Sequence, residues 1–329
     1  MNAPPARRPR PRPRPRPRLR LRLAALATLV PLLVPLLALT ACGSDGPTAA
    51  ALAAPSASED LVSGIPKVDA IAALLPAEVR KSGVLRVGSS VGSSPPSAYY
   101  ADAAQKKVVG QDIDFTDAVA KVLGLRIERQ EAAFEAILPA LGSGKYDLGT
   151  GNFGVTDERL RSIDFVTYID DGQGFAVRTG NTSVRKVTDL VQLCGLTVGT
   201  GAGTTFEATL DAKKDVCAKA GRKPYQVKVF SDQAAILTGL QQGRFDVLMS
   251  TINGLRYQAA QPEAEVTFLG EFHRLDVGFA FAKGSPLTRA FQGAVNQLIK
   301  DGTYTRILRK WGTTDSAITE SRINPPEHP

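Results

Sequence analysis

The sequence ILPALGSGKYD at residues 137–147 occurs again in related form as ILTGLQQGRFD at residues 236–246. In both copies, apolar residues at helical spacing are followed by a glycine, a basic residue, an aromatic residue and an aspartate, and then by an apolar strand. Two strand-like segments, Leu85–Gly88 and Leu196–Gly199, precede the copies in the same order. Alternating strands and helices predict an α/β fold with a mainly parallel sheet. The repetition favours two lobes of like architecture over the alternative, a single continuous core.

A glycine-rich loop in the first half, Asp147–Arg159, is a candidate ligand site. Its glycines expose backbone N–H groups, and the positive end of the helix expected after it favours an anion. Arg159 can hold a carboxylate through two parallel hydrogen bonds. The plainer interpretation is an ordinary strand end followed by a solvated arginine.

The second half carries a counterpart loop, Gly201–Glu207. Thr204 and Glu207 have the spacing of a capping box, which predicts a helix from that point to about Ala220. Capping alone would explain Thr204. Two anion-friendly loops, one in each half, would nevertheless close on one ligand if they faced each other across a cleft.

The formal net charge of +8 is concentrated at the N-terminus. Nine arginines lie within residues 1–22, and residues 1–41 contain no acidic residue. The remaining 31 basic residues balance 32 acidic ones, so the body of the chain is close to neutral. This distribution offers no electrostatic case for a nucleic-acid partner.

The first 41 residues have the pattern of a signal peptide. A basic segment ends near Arg22, and an apolar run from Leu23 to Ala41 leads to Cys42. This resembles a bacterial lipoprotein signal, in which Cys42 takes the lipid and becomes the mature N-terminus; a plain signal anchor is the alternative. Residues 42–67 are then expected to be a lipid-anchored flexible linker.

The two other cysteines, Cys194 and Cys217, form a candidate disulfide in an exported, oxidising setting. Such a bridge would covalently link the two parts of a strand–helix unit, while two free buried thiols are the alternative. The only histidines are His273 and His328, which argues against a metal site. We expect no cofactor.

From about Val68 to Pro325 the chain resembles family 3 of the bacterial extracellular solute-binding proteins, the amino-acid receptors of ABC importers. The resemblance rests on the following segments: Leu85–Gly88, Gly110–Asp114, Leu138–Leu141, Gly144–Asp147, Thr156 with Arg159, Val198–Gly199, Gly203–Thr205, Asp301–Tyr304 and Lys310–Trp311. It implies a type II periplasmic-binding fold, with two α/β lobes joined by two crossover strands and the ligand between them. The implied ranges are 84–176 and 280–315 for lobe 1, 181–275 for lobe 2, and 316–329 for a C-terminal tail.

The resemblance also implies roles for individual residues. Arg159 matches the arginine that binds the ligand α-carboxylate, assisted by the backbone N–H groups of Gly154 and Thr205. Gly151 and Asn152 match the strand-end loop where a carbonyl takes the ammonium. The other expected ligand-binding residues are Phe134, as a stacking aromatic, and Thr204, Thr251, Ser90 and Phe206.

Two departures from the family pattern concern charge. Thr251 stands where an aspartate usually binds the α-ammonium, and Ser90 stands where an acid often suits cationic side chains. A buried ammonium without a carboxylate loses a strong charge-assisted hydrogen bond. A basic amino acid is therefore disfavoured, and a ligand without a free α-amine fits the pattern. Asn152, Thr251 and Asn253 would supply neutral hydrogen bonds.

The functional prediction is a monomeric, lipid-anchored receptor on the outer face of the cell membrane. It would capture a small carboxylate-bearing, amino-acid-like solute by lobe closure and deliver it to ABC permease subunits. One alternative is a sensory lipoprotein that binds without transport. Another is an enzyme resembling cyclohexadienyl dehydratase, for which Glu135 and Asp157 are the nearest acid–base candidates. Helix-surface and capping roles are simpler for both residues, so we expect no enzymatic activity.

Overall fold

The computed structural model describes residues 58–92, 95–102 and 104–328. The expected signal peptide and Cys42 lie outside these residues. Within the described chain, none of the helices is both long enough and apolar enough to cross a membrane.

Ten strands and eleven α-helices make up the described chain. The strands are β1 Val84–Ser89, β2 Tyr99–Tyr100, β3 Val108–Val109, β4 Arg126–Glu131, β5 Leu148–Gly154, β6 Ile163–Arg178, β7 Thr197–Gly201, β8 Gln226–Phe230, β9 Val247–Thr251 and β10 Val266–Ala282. The helices are α1 Asp69–Ala72, α2 Ala77–Ser82, α3 Gln111–Leu123, α4 Phe134–Gly142, α5 Asp157–Leu160, α6 Thr205–Ala212, α7 Val216–Lys219, α8 Gln233–Gln241, α9 Ile252–Ala259, α10 Thr288–Lys300 and α11 Thr303–Trp311. Three short 3₁₀ helices cover Leu190–Leu193, Pro262–Ala264 and Thr314–Ser316.

Eight strands form one sheet in the order β4-β1-β5-β10-β6-β9-β7-β8. Strands β1, β4 and β5 are parallel to one another, and we call them the first strand group. Strands β7, β8 and β9 are likewise parallel and form the second strand group. Between the groups, β6 and β10 pair antiparallel over almost their whole length. The predicted α/β class is confirmed, but the sheet is mixed: it is parallel within each strand group and antiparallel where β6 and β10 join them.

The two long strands connect the two groups. In β10, Val277–Ala280 pair with β5 of the first group. In β6, Gln173–Ala176 pair with β9 of the second group. Both strands therefore pass from one group to the other near Gly172.

The two copies of the repeated sequence occupy equivalent places. Asp147, at the end of the first copy, accepts a hydrogen bond from the backbone N–H of Arg86 in β1 at 2.9 Å. Asp246, at the end of the second, accepts one from the N–H of Thr197 in β7 at 2.8 Å. Each aspartate thus joins the loop before a strand to the neighbouring parallel strand.

The aromatic residue of each copy covers a glycine of the adjacent strand. A Cβ atom on Gly88 would lie 2.4 Å from the ring of Tyr146, and one on Gly199 would lie 2.5 Å from the ring of Phe245. Real Cβ atoms do not approach a ring so closely, so only glycine fits at either position. The shared strand motif thus reflects close packing of ring on backbone.

We predict that Gly199→Ala lowers the free energy of unfolding by more than about 1 kcal/mol, because the added methyl group must displace the Phe245 ring. Urea unfolding measures the loss. Gly142→Ala is the matched control, since Gly142 lies at the end of α4 with open space around its Cα. An alanine there is expected to be neutral or slightly stabilising. Equal effects of the two variants would contradict this packing.

The helix expected from Thr204 to about Ala220 is wrong in its extent. The chain forms α6 and α7 instead, with a break at Lys213, whose φ of −111° and ψ of 17° are not helical. A disulfide joins Cys217 of α7 to Cys194, with Cα atoms 5.5 Å apart. This link holds α7 beside the 3₁₀ helix Leu190–Leu193, a long-range constraint that helical spacing does not reveal.

The flexible linker expected over residues 42–67 is also wrong for its described part. Leu61, Val62 and Ile65 pack against the main hydrophobic core. The Lys310 ammonium group donates a hydrogen bond to the carbonyl oxygen of Glu59 at 2.6 Å. Burial of these apolar side chains holds residues 58–67 on the folded body.

Candidate functional site

A cavity of about 40 Å³ lies where the carboxyl ends of the two strand groups meet. It is lined by Ser97, Phe134, Gly151, Asn152, Gly154, Arg159, Thr204, Thr205, Phe206, Ser250 and Thr251. Every residue expected to contact the ligand is among them except Ser90 and Asn253. Ligands of open α/β sheets bind outside the carboxyl ends of the strands, so the cavity is a candidate binding site.

Ser90 lies behind the cavity rather than on its wall. It is 3% exposed, and its N–H donates a hydrogen bond to the carbonyl oxygen of Thr150 at 2.9 Å. Asn253 does not line the cavity either, because its side-chain amide donates to the Ser316 hydroxyl at 2.9 Å. The Asn253 side chain is thus turned away from the cavity by a contact far along the chain.

Sequence reasoning did not select Ser97 and Ser250 as ligand contacts, although both line the cavity. Ser250 had one available signal, since it directly precedes Thr251 at the end of β9. The two hydroxyl groups add neutral polarity to the cavity.

Arg159 carries the positive charge of the cavity. Its guanidinium donates hydrogen bonds to the carbonyl oxygens of Gly154 and Gly203, each at 2.9 Å. The rings of Phe134 and Phe153 both lie 5.9 Å from its central carbon. Among the ion pairs of the described chain, none includes Arg159. Two neutral carbonyls do not neutralise a cation, so an anion can still bind here.

Burial lowers the pKa of Arg159 to about 10, while the nearby charges of Glu158 and Glu327 oppose the shift. The guanidinium therefore stays charged at neutral pH. A charge removed from water interacts more strongly with an ionised partner than an exposed one does. The site thus favours a carboxylate over a neutral polar group.

The helix after the first loop contributes less to anion binding than the sequence indicated. Helix α5 has only four residues, so its dipole is small. Its N-cap, Thr156, accepts a hydrogen bond from the N–H of Arg159 at 3.2 Å. The side chain of Arg159, rather than the helix end, is therefore the main anion-binding feature of this loop.

The predicted N-cap of the second loop is confirmed. The Thr204 hydroxyl accepts a hydrogen bond from the N–H of Glu207 at 3.2 Å and donates one to the Gly201 carbonyl oxygen at 2.7 Å. The Glu207 carboxylate binds the N–H of Gly203 at 2.7 Å. The N–H groups of Thr205 and Phe206 have no acceptor within helix α6, because they belong to its first turn. They are candidate donors to an anion.

Asn152 connects the cavity to a buried acidic network. Its N–H donates to the Asp112 carboxylate at 3.0 Å, and its side-chain amide donates to Asp171 at 2.8 Å. The same two carboxylates accept from the Tyr168 hydroxyl at 2.8 Å and the Asn253 N–H at 3.1 Å, respectively. The side-chain carbonyl of Asn152 is buried without a partner. The side-chain NH₂ group of Asn152 thus donates toward the protein interior, and only the side-chain oxygen remains as an acceptor for a ligand.

These buried acids predict an unusual pH dependence of stability. Burial raises the pKa of Asp112 and of Asp171 to about 6, from an ordinary value of 3.8. Since the folded pKa exceeds the unfolded one, the folded state binds more protons between about pH 4 and 6. Their contribution to the unfolding free energy therefore falls as the pH rises through this window and stays low above it.

Urea unfolding at pH 4.5 and at pH 6.5 tests this dependence, with Asp171→Asn as the comparison. Other carboxylates, such as Glu271 with its lowered pKa, make the unfolding free energy rise with pH, but they are the same in both proteins. We expect the variant to gain stability, relative to wild type, as the pH rises. An identical pH profile in the two proteins would contradict a protonated Asp171 in the folded state.

The cavity shows no arrangement for acid–base or metal chemistry. No carboxylate is among the residues that line it. Asp157 is engaged with the backbone N–H of Glu327 at 3.1 Å, and Glu135 packs against Gly203 outside the cavity wall. Within the described residues, no cluster of three or more metal-ligating side chains exists.

Comparisons with known proteins agree with this geometry. Residues 85–314 match the family model of the bacterial extracellular solute-binding proteins, family 3. The arginine-binding protein ArgT of Corynebacterium glutamicum is 29% identical over 259 residues, which cover 78% of this chain and 83% of that protein. Its name describes it as a protein that binds arginine.

Solved structures with the same architecture include an ancestral arginine-binding protein bound to arginine, with 35% identity and a TM-score of 0.62 over 70% of this chain and 98% of that one. Another is the ancestral amino acid-binding protein AncCDT-1, a precursor of cyclohexadienyl dehydratase, with 29% identity and a TM-score of 0.61 over 71% of this chain and 97% of that one. The fold is therefore the type II periplasmic-binding fold. This chain belongs to family 3 of the bacterial extracellular solute-binding proteins.

Proposed function

We propose that the protein is the substrate-binding lipoprotein of an ABC importer and captures a small carboxylate-bearing, amino-acid-like solute outside the cytoplasm. The observation that carries the proposal is the charged Arg159 guanidinium, which has no acidic partner among the described residues and lines a cavity between the two strand groups. A carboxylate bound there would complete its hydrogen bonds.

The proposed mechanism is closure of two lobes over the solute. Lobe 1 would contain the first strand group and lobe 2 the second, with the crossings near Gly172 in β6 and Arg274 in β10. Gly172 has a φ of +142°, and a Cβ atom there would lie 2.2 Å from the His273 carbonyl oxygen. Such a glycine is well suited to a hinge between the crossing strands.

The hydrogen bond from Arg159 to Gly203 joins residues from the two proposed lobes. Opening of the lobes would break it, and an incoming carboxylate would take its place on the guanidinium. Ligand contacts to both lobes exist only when they are closed, so binding shifts the population toward the closed state. The ligand-bound shape is then what the permease would recognise.

The polar groups of the cavity favour a ligand with little positive charge. Thr251 accepts a hydrogen bond from the N–H of Gly254 at 3.1 Å as the cap of α9, and it offers no negative charge. The remaining acceptors are neutral hydroxyl and carbonyl oxygens. Unlike its arginine-binding relatives, this protein would therefore select a neutral amino acid or a related carboxylate.

Anchoring and location follow from the N-terminal sequence. The apolar segment that ends at Cys42 supports export and lipid attachment, which would place the receptor on the outer face of the cell membrane beside its permease.

We propose a monomer. An enzyme resembling cyclohexadienyl dehydratase is less well supported, because no carboxylate lines the cavity. A sensory receptor would use the same site.

A thermal-shift screen tests the proposal most simply. The panel contains L-glutamine, L-leucine, L-arginine, opines and small organic acids, each paired with its carboxamide where one exists. We expect a neutral carboxylate compound to raise the melting temperature, its amide to have no effect, and L-arginine to act weakly. Stabilisation by amides as strong as by acids would refute the assigned role of the site.

A further inference from the structure

The C-terminal segment Thr314–His328 packs along the folded body although the family match ends at residue 314. Ile323 forms an antiparallel bridge with Val166 of β6. The carbonyl oxygen of Arg322 accepts from the N–H of Thr167 at 2.9 Å, and the N–H of Asn324 donates to the Phe165 carbonyl oxygen at 3.0 Å. The segment thus pairs with β6 through an isolated bridge and the two hydrogen bonds that flank it.

Side chains of the same segment hold a buried acid of the crossing strand β10. Asp276 is 3% exposed, and its carboxylate accepts from the Arg322 guanidinium at 2.6 Å and lies 3.0 Å from the His328 ring nitrogen. The carbonyl oxygen of Asp276 accepts from the N–H of Val155, which directly follows β5. These contacts place the C-terminal segment beside the loop that contains Arg159.

At that loop, Glu327 and Asp157 form two reciprocal hydrogen bonds, which we call the clasp. The Glu327 carboxylate accepts from the N–H of Asp157 at 3.0 Å, and the Asp157 carboxylate accepts from the N–H of Glu327 at 3.1 Å. Asp157 is the first residue of α5, and Arg159 is the third. The C-terminal segment therefore fastens the start of the short helix that presents the arginine.

We propose that Glu327 is a positioning residue, which holds helix α5 so that the Arg159 guanidinium faces the cavity. A single helical turn is unstable by itself, because four residues cannot offset the cost of helix nucleation. Thr156, from within the loop, and Glu327, from the other end of the chain, accept hydrogen bonds from backbone N–H groups of this turn. The Lys283 ammonium group donates to the carbonyl oxygen of its last residue, Leu160, at 2.7 Å. Of these contacts, the one from Glu327 is made at the first residue of the turn. The negative charge of Glu327 also supports the charge of Arg159. The functional part of the inference rests on the proposed carboxylate site.

Hydrogen–deuterium exchange and calorimetry test the inference on the purified protein with three variants. Glu327→Ala removes the clasp, whereas Glu327→Gln keeps an acceptor of the same length. Glu320→Ala removes an exposed carboxylate of the same segment that makes no hydrogen bond or ion pair in the described structure. The binding probe is the amino acid from the screen that shifts the melting temperature most.

We expect Glu327→Ala to speed exchange of residues 155–162 at least about threefold and to weaken binding of the probe at least about threefold. Glu327→Gln should keep the exchange rate and the affinity close to the wild-type values, and Glu320→Ala should change neither quantity. Unchanged exchange in Glu327→Ala, or faster exchange with unchanged affinity, would overturn the positioning role. Exchange needs no ligand, so a wild type that binds no probe would refute the proposed function while the exchange still tests the clasp.

Discussion

We expect Arg159→Ala to lower the affinity for a carboxylate-bearing amino acid by roughly a hundredfold, the value that follows from losing about 3 kcal/mol of charge-assisted hydrogen bonding. The effect is large because Arg159 is the positive charge among the lining residues, and its partial burial strengthens its interaction with an ionised partner. The donors left to an anion would be the N–H groups of Thr205 and Phe206, which carry only partial charges. Titration calorimetry with the best compound of the screen measures the change.

Two further variants make this measurement specific. Arg161→Ala removes a neighbouring exposed arginine that does not line the cavity, so it should leave affinity unchanged within about twofold. Arg159→Lys keeps the charge but loses the planar pair of donors, and it should recover only part of the affinity. Equal losses in Arg161→Ala and Arg159→Ala would indicate a general effect of positive charge near the cavity rather than a specific carboxylate contact.

We expect Thr251→Asp to raise the affinity for compounds with a free α-amine about tenfold, because it introduces a carboxylate into a cavity that has none. The variant should fold, since aspartate caps a helix as well as threonine does, and Thr251 is the N-cap of α9. Calorimetry with L-glutamine and with its analogue lacking the α-amine separates the effect on the ammonium from the effect on the carboxylate.

Thr251→Asn is the matched control for this gain. Asparagine has nearly the same shape as aspartate and caps helices equally well, but it carries no charge. Affinity should rise in the aspartate variant alone, and only for the compound with an amine. A similar gain in both variants, or a gain for the compound without an amine, would contradict the assignment of Thr251 to the ammonium end of the ligand.

Local patterns in the sequence predicted much of the scaffold. The repeated glycine, aromatic residue and aspartate are close-range packing signals, and Gly199 with Phe245 shows the ring-on-backbone contact behind them. Thr204 was recognisable as an N-cap because capping depends on residues three positions apart. The arginine of the first loop was recognisable as a ligand candidate because its loop has the composition of an anion site.

Features that depend on distant contacts were not predictable in this way. The break at Lys213 accompanies a disulfide that fixes the following helix from outside, and Asn152 is turned inward by Asp112 and Asp171. The docking of Glu327 on α5 joins residues far apart in the chain. The cysteine pair itself was expected from the sequence, but the helix break, the inward turn of Asn152 and the docking of Glu327 were not. Periodicity and composition do not contain these features, because each depends on contacts that form only in the folded chain.

The central claim is that one guanidinium holds the carboxylate of a solute enclosed between two lobes. A crystal structure with the best-binding compound of the screen tests it most directly. We predict a ligand carboxylate within about 3 Å of the Arg159 nitrogens, in place of the Gly203 carbonyl, and enclosed by residues of both strand groups. A ligand bound elsewhere, with Arg159 still donating to Gly154 and Gly203, would contradict the account.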